Sequence, residues 1–524
     1  MKHISLLLMV LLLTIIFCNV ATAQSDSLYD IVFVGGRVID PETKLDAIKN
    51  VAIKNNRVAE ISSEPLNGKE TINISGLVMA PGFIDLHIHG RTNKEQEYQL
   101  HDGITTALEL EWGIEYLDKW YATRKGKALI NYGASVCWPF ERFRATGNYK
   151  KQEDELFANV INGQSGIENL LNTLKPTSNV SLTPPQIDKT LENIRQSLAE
   201  GGIGIGIPVA YVPGSKPEEL YRVFQLAASM QALVFTHVRE SGIMAVQQVI
   251  ADAILTGAPL HIVHINSSTL SQISLGIEMV QTAQRKGFNI TTELYPYPAA
   301  STGIQSAVFD EGWQQRLGIS YSDLLWVETG ERLTKETFEN HRKTGGFVII
   351  FSMKPEWIKT GVVSKGTMIA SDGMPYAKMA HPRTAGTFSR VLGKYVREEK
   401  VLTLSDAIEK MTLLPAKRLE GIAPMMRYKG RVQVGSDADI TIFNPETIID
   451  KATFEKGLEF SGGIEYVLVN GTFVLKNGKD VNNVFPGQAV YGNIKSRDLK
   501  RLCESSRLCV KQNDLHNILL ERYP

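Results

Sequence analysis

The sequence predicts an α/β fold: a (β/α)8 TIM barrel with a small β-sandwich domain formed by both chain ends. Three observations lead to this prediction. Short apolar runs alternate with longer helical patterns between residues 80 and 425, as in parallel sheets and barrels. Short strands punctuated by Gly, Asn and Pro come before residue 80 and return after residue 430. Histidines and an aspartate stand at the ends of several apolar runs, where barrel active sites are built.

Each strand is predicted from a short apolar run bounded by turn residues. The strands predicted at the chain ends are 29–34, 37–39, 47–53, 57–61, 430–434, 439–443, 463–469 and 472–475. The runs predicted for the barrel region are 77–84, 105–110, 203–209, 233–237, 260–265, 289–294, 346–351 and 367–371.

The domain boundaries follow from these changes of pattern. The segment at about 303–345, rich in charge and aromatic residues, is predicted to be a lid-like insertion over the barrel mouth. The predicted units are a signal peptide (1–23), the first part of the β-sandwich (24–79), the barrel (80–425), the second part of the β-sandwich (426–485) and a C-terminal tail (486–524).

Composition excludes some function classes. The chain has 524 residues, too many for one simple core. Lys+Arg and Asp+Glu both number 56, so nothing in the charge balance points to a nucleic-acid partner.

The chain has four cysteines, and two of them, Cys503 and Cys509, are six residues apart in the tail. A disulfide between them and two free thiols are equally consistent with the sequence.

The N-terminus has the pattern of an export signal. Lys2 gives a positive start, residues 6–17 an apolar core, and Ala21-Thr22-Ala23 a small-residue cleavage site. We therefore expect a periplasmic or secreted protein without a stable membrane anchor. An uncleaved anchor is the alternative; a lipoprotein attached at Cys18 is disfavoured by bulky Phe17.

Two histidines with one residue between them, His87 and His89, follow the buried run 77–84. Residues i and i+2 of a strand point the same way, so both can aim at one metal ion. Imidazole suits zinc and its transition-metal neighbours. The alternative is two unrelated histidines near a turn, but the preceding buried strand and Gly90 after the pair favour a metal site.

Three more candidate ligands stand at the ends of predicted strands: His237, His264 and Asp372. A single histidine at a strand end is more often structural, but five such residues in this order predict one metal cluster. His261 lies three residues before His264, an odd spacing along a strand, so we expect it to point elsewhere.

These motifs resemble the amidohydrolase superfamily, and more closely its D-aminoacylase (N-acyl-D-amino-acid deacylase) branch. The similarity covers roughly residues 30 to 490. The supporting stretches are 81–89 (PGFIDLHIH), 206–214 (GIPVAYVPG), 235–242 (FTHVRESG), 295–303 (YPYPAASTG), 371–375 (SDGMP), 381–388 (HPRTAGTF) and 430–443 (GRVQVGSDADITIF).

The chain departs from the pattern of this branch at one ligand. The branch places a metal-binding cysteine after the second barrel strand, and other amidohydrolases use a carboxylated lysine on the fourth strand. Residues 105–113 contain no cysteine and 203–209 no lysine. Glu109 and Glu111 share one strand face, and we predict Glu111, nearer the rim, as the bridging ligand, with Glu109 second. Buried or solvated structural glutamates are the alternative. The glutamates resemble those of the D-glutamate deacylase subset.

The resemblance implies a reaction. His87, His89, Glu111, His237 and His264 would hold one or two divalent ions, most simply Zn2+, and Asp372 would move the proton. An ion supplies an acidified water and a Lewis acid for amide hydrolysis.

The resemblance also implies three residues that bind the substrate carboxylate: Tyr295, Ser301 and Arg383. Arg383 offers a planar fork suited to a carboxylate, whereas Tyr295 could equally belong to a rigid turn. The family often has a lysine at the position of Asn266, so the side-chain preference does not carry over simply.

We therefore predict a metal-dependent hydrolase of small N-acyl-D-amino acids, with N-acyl-D-glutamate as one substrate. The alternatives are another amidohydrolase, such as a dipeptidase or a cyclic-amide hydrolase, and a non-catalytic exported binding protein. The motif 381–388 disfavours the first alternative, and the retained ligand positions disfavour the second.

Overall fold

The computed structural model describes residues 28–375, 377 and 380–494. The predicted signal peptide and the two tail cysteines lie outside the described residues. Within them, no helix is both long enough and apolar enough to cross a membrane.

The described residues form twenty strands. They are β1 (Tyr29–Asp40), β2 (Leu45–Lys54), β3 (Arg57–Ser62), β4 (Gly68–Asn73), β5 (Val78–Pro81), β6 (Phe83–Asp85), β7 (Ile104–Ile114), β8 (Asn131–Cys137), β9 (Ile205–Pro208), β10 (Val234–His237), β11 (Leu260–Ile262), β12 (Ile290–Leu294), β13 (Ala300–Gly303), β14 (Leu324–Trp326), β15 (Phe347–Ile350), β16 (Met368–Ile369), β17 (Ile440–Phe443), β18 (Ile464–Val469), β19 (Thr472–Lys476) and β20 (Lys479–Asp480).

Sixteen α-helices connect these strands in the same part of the chain. They are α1 (Asn93–His101), α2 (Leu117–Arg124), α3 (Trp138–Thr146), α4 (Lys150–Ile161), α5 (Ile167–Leu174), α6 (Pro184–Ala199), α7 (Pro217–Met230), α8 (Ile243–Thr256), α9 (Ile265–Thr269), α10 (Ile273–Arg285), α11 (Trp313–Leu317), α12 (Lys335–Thr344), α13 (Pro355–Val363), α14 (Arg383–Arg390), α15 (Leu404–Met411) and α16 (Leu413–Leu419). A π-helix continues α14 over Val391–Glu398, and short 3-10 turns lie at Lys175–Thr177, Val209–Tyr211, Leu270–Gln272, Ala307–Phe309, Tyr321–Asp323 and Pro424–Tyr428.

Eight parallel strands form a nearly closed barrel, which confirms the predicted fold class. Their order around the sheet is β6-β7-β8-β9-β10-β11-β12-β16. Near the site the ring closes beyond the first and last strands, where His89 N donates to Gly373 O at 2.6 Å and Gly373 N donates to His87 O at 3.3 Å. These bonds tie the loop that carries the two neighbouring histidines to the loop that carries Asp372.

The run 77–84 is not one strand, contrary to the prediction. Its first half, β5, pairs with β1 and β17 in the chain-end sheet, and its second half, β6, pairs with β7 in the barrel. Gly82 lies between them, and a Cβ there would come within 2.2 Å of the Thr105 side chain. Pro81 supplies no backbone N–H, so the chain can leave one sheet and enter the next at this point.

Two other predictions about the barrel strands are wrong. The run 346–351, β15, lies in a separate three-stranded sheet, ordered β13-β15-β14. The missing barrel strand is β8, which is buried throughout but has no long apolar run. Its polar Asn131 is buried because its Nδ2 donates to Asp439 Oδ2 at 2.9 Å.

Both chain ends contribute to one nine-stranded sheet, as predicted, with strand order β20-β19-β18-β17-β5-β1-β2-β3 and β4 beside β1. The two predicted strands 29–34 and 37–39 are a single strand, β1, with a bulge between Phe33 and Gly36. The prediction of a strand at 430–434 is wrong, because backbone N–H groups of this segment donate to side chains and not to a neighbouring strand. Val432 N, for example, donates to Asp40 Oδ1 at 3.0 Å.

The three-stranded sheet and helices α11 and α12 form a small unit with an apolar core of its own. Trp313, Trp326 and Phe338 belong to that core and are 5–6% exposed. Residues of β13, α11 and β15 also line the cavity described below, so this unit covers part of the barrel mouth.

Candidate metal centre

The predicted ligands sit at or just beyond the C-terminal ends of barrel strands. Glu111 is on β7 and His237 ends β10. His264 and Asp372 follow β11 and β16, and both have a left-handed backbone, with φ of 34° and 51°. Such φ values are unusual for residues other than glycine and cluster at functional sites. The local backbone is thus held in an uncommon form that turns both side chains into the site.

The carboxylate of Glu111 lies between two pairs of histidines. Its Oε1 is 2.7 Å from His237 Nδ1 and 3.2 Å from His264 Nε2. Its Oε2 is 3.1 Å from His87 Nε2 and 3.2 Å from His89 Nε2. Each oxygen therefore belongs to a different half of the cluster, which is the arrangement of a carboxylate that can bridge two cations.

Asp372 adds a second carboxylate to one half of the cluster. Its Oδ1 is 3.1 Å from His89 Nε2 and 3.6 Å from His87 Nε2, and Arg383 Nη2 approaches the same oxygen at 2.8 Å. Burial alone would raise the pKa of Asp372, but the charges of Arg383 and His87 outweigh it and lower the pKa. Asp372 is therefore an ionised carboxylate.

The electrostatics of the cluster call for a cation. Burial alone would lower the pKa of His87, but the charges of Asp372 and Glu111 raise it well above the usual value. His89 behaves in the same way, with Glu109 as the main opposing charge. The buried carboxylates thus favour a positive charge at the histidine nitrogens, and either bound protons or metal ions can supply that charge.

The donor set fits a zinc-like ion. Three groups have ligand atoms within 4.8 Å of one another: His87 with His89 and Glu111, Glu111 with His237 and His264, and His87 with His264 and Asp372. Four imidazole nitrogens with carboxylate oxygens are the ligands that zinc prefers, and acid residues balance the charge of the ion.

Glu109 takes a different position from Glu111. Its Oε2 is 3.0 Å from His89 Nδ1, the ring nitrogen that faces away from the cluster. Arg91 Nε lies 3.9 Å from the same oxygen. Glu109 therefore contacts the outer side of the His89 ring and does not lie between the two pairs of histidines.

The predicted carboxylate-binding residues converge beside Asp372. Tyr295 and Ser301 line the cavity, and Arg383 is fully buried with its guanidinium 4.5 Å above the Tyr295 ring. Arg383 Nη2 reaches Asp372, whereas Nε and Nη1 have no hydrogen-bond partner among the described residues. Buried donors without partners are rare, so these two have unused hydrogen-bonding capacity. Arg383 lies behind the cavity wall, in contact with the lining residues Tyr295 and Asp372.

Two neighbours of this region are buried and do not line the cavity. His381 is fully buried, where its Nε2 donates to Ala299 O at 2.9 Å and its Nδ1 accepts from Arg383 N at 3.1 Å. Asn266 Nδ2 donates to Tyr295 O at 3.2 Å. Asn266 is absent from the cavity lining, so it faces the back of the site.

The cavity over the cluster has an empty volume of about 740 Å3, part of it open to solvent. Its charged lining residues all belong to the cluster: His89, Glu111, His237, His264 and Asp372. Much of the remaining wall is apolar, with Trp112, Ile167, Leu171, Val308, Phe347 and Ile350. In the described part of the chain, neither lysine nor arginine lines it.

Sequence reasoning missed two contributors to the site. Glu293 on β12 is buried, and its Oε1 is 2.6 Å from His87 Nδ1. Tyr211, in the turn after β9, lines the cavity, and its hydroxyl is 2.7 Å from Thr302 Oγ1. A charged residue within an otherwise uncharged buried strand was the available signal for Glu293. His261 points away from the cluster, toward Glu293.

Comparison with known proteins supports the resemblance. No family model matches the chain. An N-acyl-D-glutamate deacylase of Alcaligenes xylosoxydans xylosoxydans is 28% identical over 474 residues, covering 85% of this chain and 93% of the relative. A D-aminoacylase of the same organism is 28% identical over 477 residues, covering 86% and 95%. Over most of its length the chain is therefore similar to an N-acyl-D-glutamate deacylase and to a D-aminoacylase.

A solved structure shares the fold of this chain. It is an N-acyl-D-glutamate deacylase of Bordetella bronchiseptica in complex with zinc and a phosphonate inhibitor, with a TM-score of 0.73 and 23% identity. The alignment covers 89% of this chain and all of that one. The barrel and the chain-end sheet are thus common to both.

Proposed function

We propose that this protein is a metal-dependent hydrolase of N-acyl-D-amino acids, releasing a carboxylate and a free D-amino acid. The two-sided geometry of Glu111 carries the proposal, because it joins two pairs of imidazoles into one centre. The centre would hold one or two divalent ions, with Zn2+ as the proposed metal. The names of the relatives supply the substrate class.

His87, His89, Glu111, His237 and His264 are the proposed ligands. Bound there, a divalent ion supplies a Lewis acid and lowers the pKa of water toward 7. The residues must be deprotonated to bind it, so activity is lost in acid.

Asp372 is the proposed proton carrier. Its carboxylate lies 3.1 Å from His89 Nε2, on the cavity side of the cluster, and its lowered pKa keeps it in the ionised form that a general base requires. It takes the proton from the attacking water and then gives it to the leaving nitrogen, as a general base and then a general acid.

Arg383, Tyr295 and Ser301 are the proposed site for the α-carboxylate. A carboxylate that reached Arg383 behind the cavity wall would accept one hydrogen bond from Nε and one from Nη1, and the Tyr295 ring packed on the guanidinium fixes its plane. Anchoring this end of the substrate places the amide near the cluster.

The substrate side chain is proposed to be apolar in preference to glutamate. A second carboxylate in this cavity would lose its water, and outside the cluster no charged side chain of the described residues lines the wall to pair with it. Among the relatives, the D-aminoacylase is therefore a closer guide to the substrate than the D-glutamate deacylase.

A panel of four substrates tests this function: N-acetyl derivatives of D-leucine, L-leucine, D-glutamate and L-glutamate, followed by ninhydrin or HPLC detection of the free amino acid. We expect kcat/KM to be highest for the D-leucine derivative. Higher kcat/KM for L-substrates would contradict the D-aminoacylase assignment. Activity on dipeptides or cyclic amides alone would favour another amidohydrolase. Metal-loaded protein that turns over none of these substrates would favour a binding role.

We also propose export, with a mature chain that starts at Gln24 and has no membrane anchor. The Ala21-Thr22-Ala23 site in the sequence supports this proposal. N-terminal sequencing of protein from the periplasm or medium is the test. A mature chain that starts at Cys18 and carries lipid would support a lipoprotein instead.

A further inference from the structure

A buried carboxylate stands behind His87, outside the proposed ligand set. Glu293 Oε1 lies 2.6 Å from His87 Nδ1, while the opposite ring nitrogen, Nε2, faces Glu111. Glu293 belongs to none of the three groups of converging ligand atoms. It therefore touches a proposed ligand from the side that a metal ion would not occupy.

A second histidine supports this carboxylate. His261 Nε2 is 3.3 Å from Glu293 Oε2, and His261 Nδ1 is 2.7 Å from Thr291 Oγ1. Both His261 and Glu293 are at most 1% exposed. The strands β11 and β12 thus carry a chain of contacts from Thr291 through the buried His261 and Glu293 to His87.

Burying a carboxylate costs free energy unless its charge is paired, so the contacts that Glu293 makes determine whether it is stable in this position. At 2.6 Å, Glu293 Oε1 is placed to accept the Nδ1–H of His87, and the second oxygen, Oε2, faces His261 Nε2 at 3.3 Å. A histidine protonated at Nδ1 presents the lone pair of Nε2, the form that a metal ion requires.

We propose that Glu293 is a positioning residue of the metal centre: it fixes the tautomer and the ring angle of His87, and His261 holds Glu293 in place. This inference rests on the proposed function only in requiring a metal at the Glu111 cluster. It assigns a purpose to two buried residues that bind neither the ion nor the substrate.

The test measures zinc affinity of metal-depleted protein by competition with a chromophoric chelator. The variants are Glu293→Gln, which keeps the shape but removes the charge, and His261→Gln, which keeps Glu293. The matched control is His101→Gln, which breaks a histidine–carboxylate contact outside the cluster and its cavity, between His101 Nε2 and Asp480 Oδ1 at 2.9 Å. Thermal unfolding of the metal-free proteins shows the purely structural cost of each change.

We expect Glu293→Gln to weaken zinc binding about 10- to 100-fold, the usual effect of losing a group that orients a ligand. His261→Gln should weaken it less, in the same direction, and the control should not change it. Hydrolysis by Glu293→Gln should recover at high zinc, which lost folding would not allow.

Wild-type affinity in both site variants would overturn the inference while leaving the proposed function intact. If Glu293→Gln does not fold, His261→Gln decides alone, and unchanged affinity in that variant overturns the inference. Wild-type protein that binds no zinc would overturn the proposed metal centre and this inference together.

Discussion

Replacing Glu111 with glutamine tests the bridge directly. Glutamine has nearly the same shape but only one oxygen, so its NH2 group must face one pair of histidines. Those ring nitrogens lie 2.7 and 3.2 Å away on one side and 3.1 and 3.2 Å away on the other. Whichever way the amide turns, one half of the centre loses an anionic ligand.

The loss can be estimated from charge-assisted contacts, which contribute about 1.5–3 kcal/mol each. Each 1.4 kcal/mol is about tenfold in affinity, so one zinc should bind at least about 10- to 100-fold more weakly. The neutral amide also removes a negative charge that both halves share, which adds to the effect.

The assay is a zinc titration of metal-free Glu111→Gln with chelator competition, together with kcat/KM on N-acetyl-D-leucine. Glu109→Gln is the matched control, since it is the same change two residues earlier on the same strand face. Glu109 contacts one ligand, His89, at Nδ1, as Glu293 contacts His87, so we expect a loss near the lower end of about 10- to 100-fold. This loss is smaller than that of Glu111→Gln, because Glu111 faces four histidines. The reasoning is refuted if Glu109→Gln is the more damaging change, or if Glu111→Gln binds zinc like the wild type.

Three further changes probe the proton carrier, the carboxylate site and the buried charges. Asp372→Asn should retain zinc but lower kcat by about 10²–10⁴-fold, measured under saturating metal, and full activity would contradict the mechanism. Arg383→Lys should mainly raise KM, because lysine keeps the charge but not the fork; a fall in kcat with KM unchanged would count against carboxylate binding. Burial lowers the pKa of Lys410 from 10.5 to about 8. Between about pH 8 and 10.5, Lys410 is therefore neutral in the folded protein but still protonated in the unfolded chain. Stability should therefore rise with pH across this range, by on the order of 1 kcal/mol per pH unit, and urea unfolding of Lys410→Met should show no such rise.

The barrel and the convergence of the candidate ligands could be predicted because both have strong local signals. Each of His237, His264 and Asp372 follows a short apolar run that can be recognised in the sequence. Parallel strands bring their carboxyl ends to one face of a barrel, so these residues are expected to lie close together. The two-residue spacing of Glu109 and Glu111 also placed both carboxylates toward the site.

The parts that sequence reasoning missed depend on contacts distant in the chain. The strand β8 is buried yet polar, because Asn131 is satisfied by Asp439, some 300 residues away. The break at Gly82 results from the close approach of Thr105. Glu293 acts on His87 across the barrel, and no periodicity within either segment reveals that pair.

The most direct test of the metal centre is the activity of metal-depleted wild-type protein during zinc titration, with N-acetyl-D-leucine as substrate. The protein should be inactive at the start and regain hydrolysis as zinc fills about one to two sites per chain. Full hydrolysis by protein shown by elemental analysis to hold no transition metal would contradict the account.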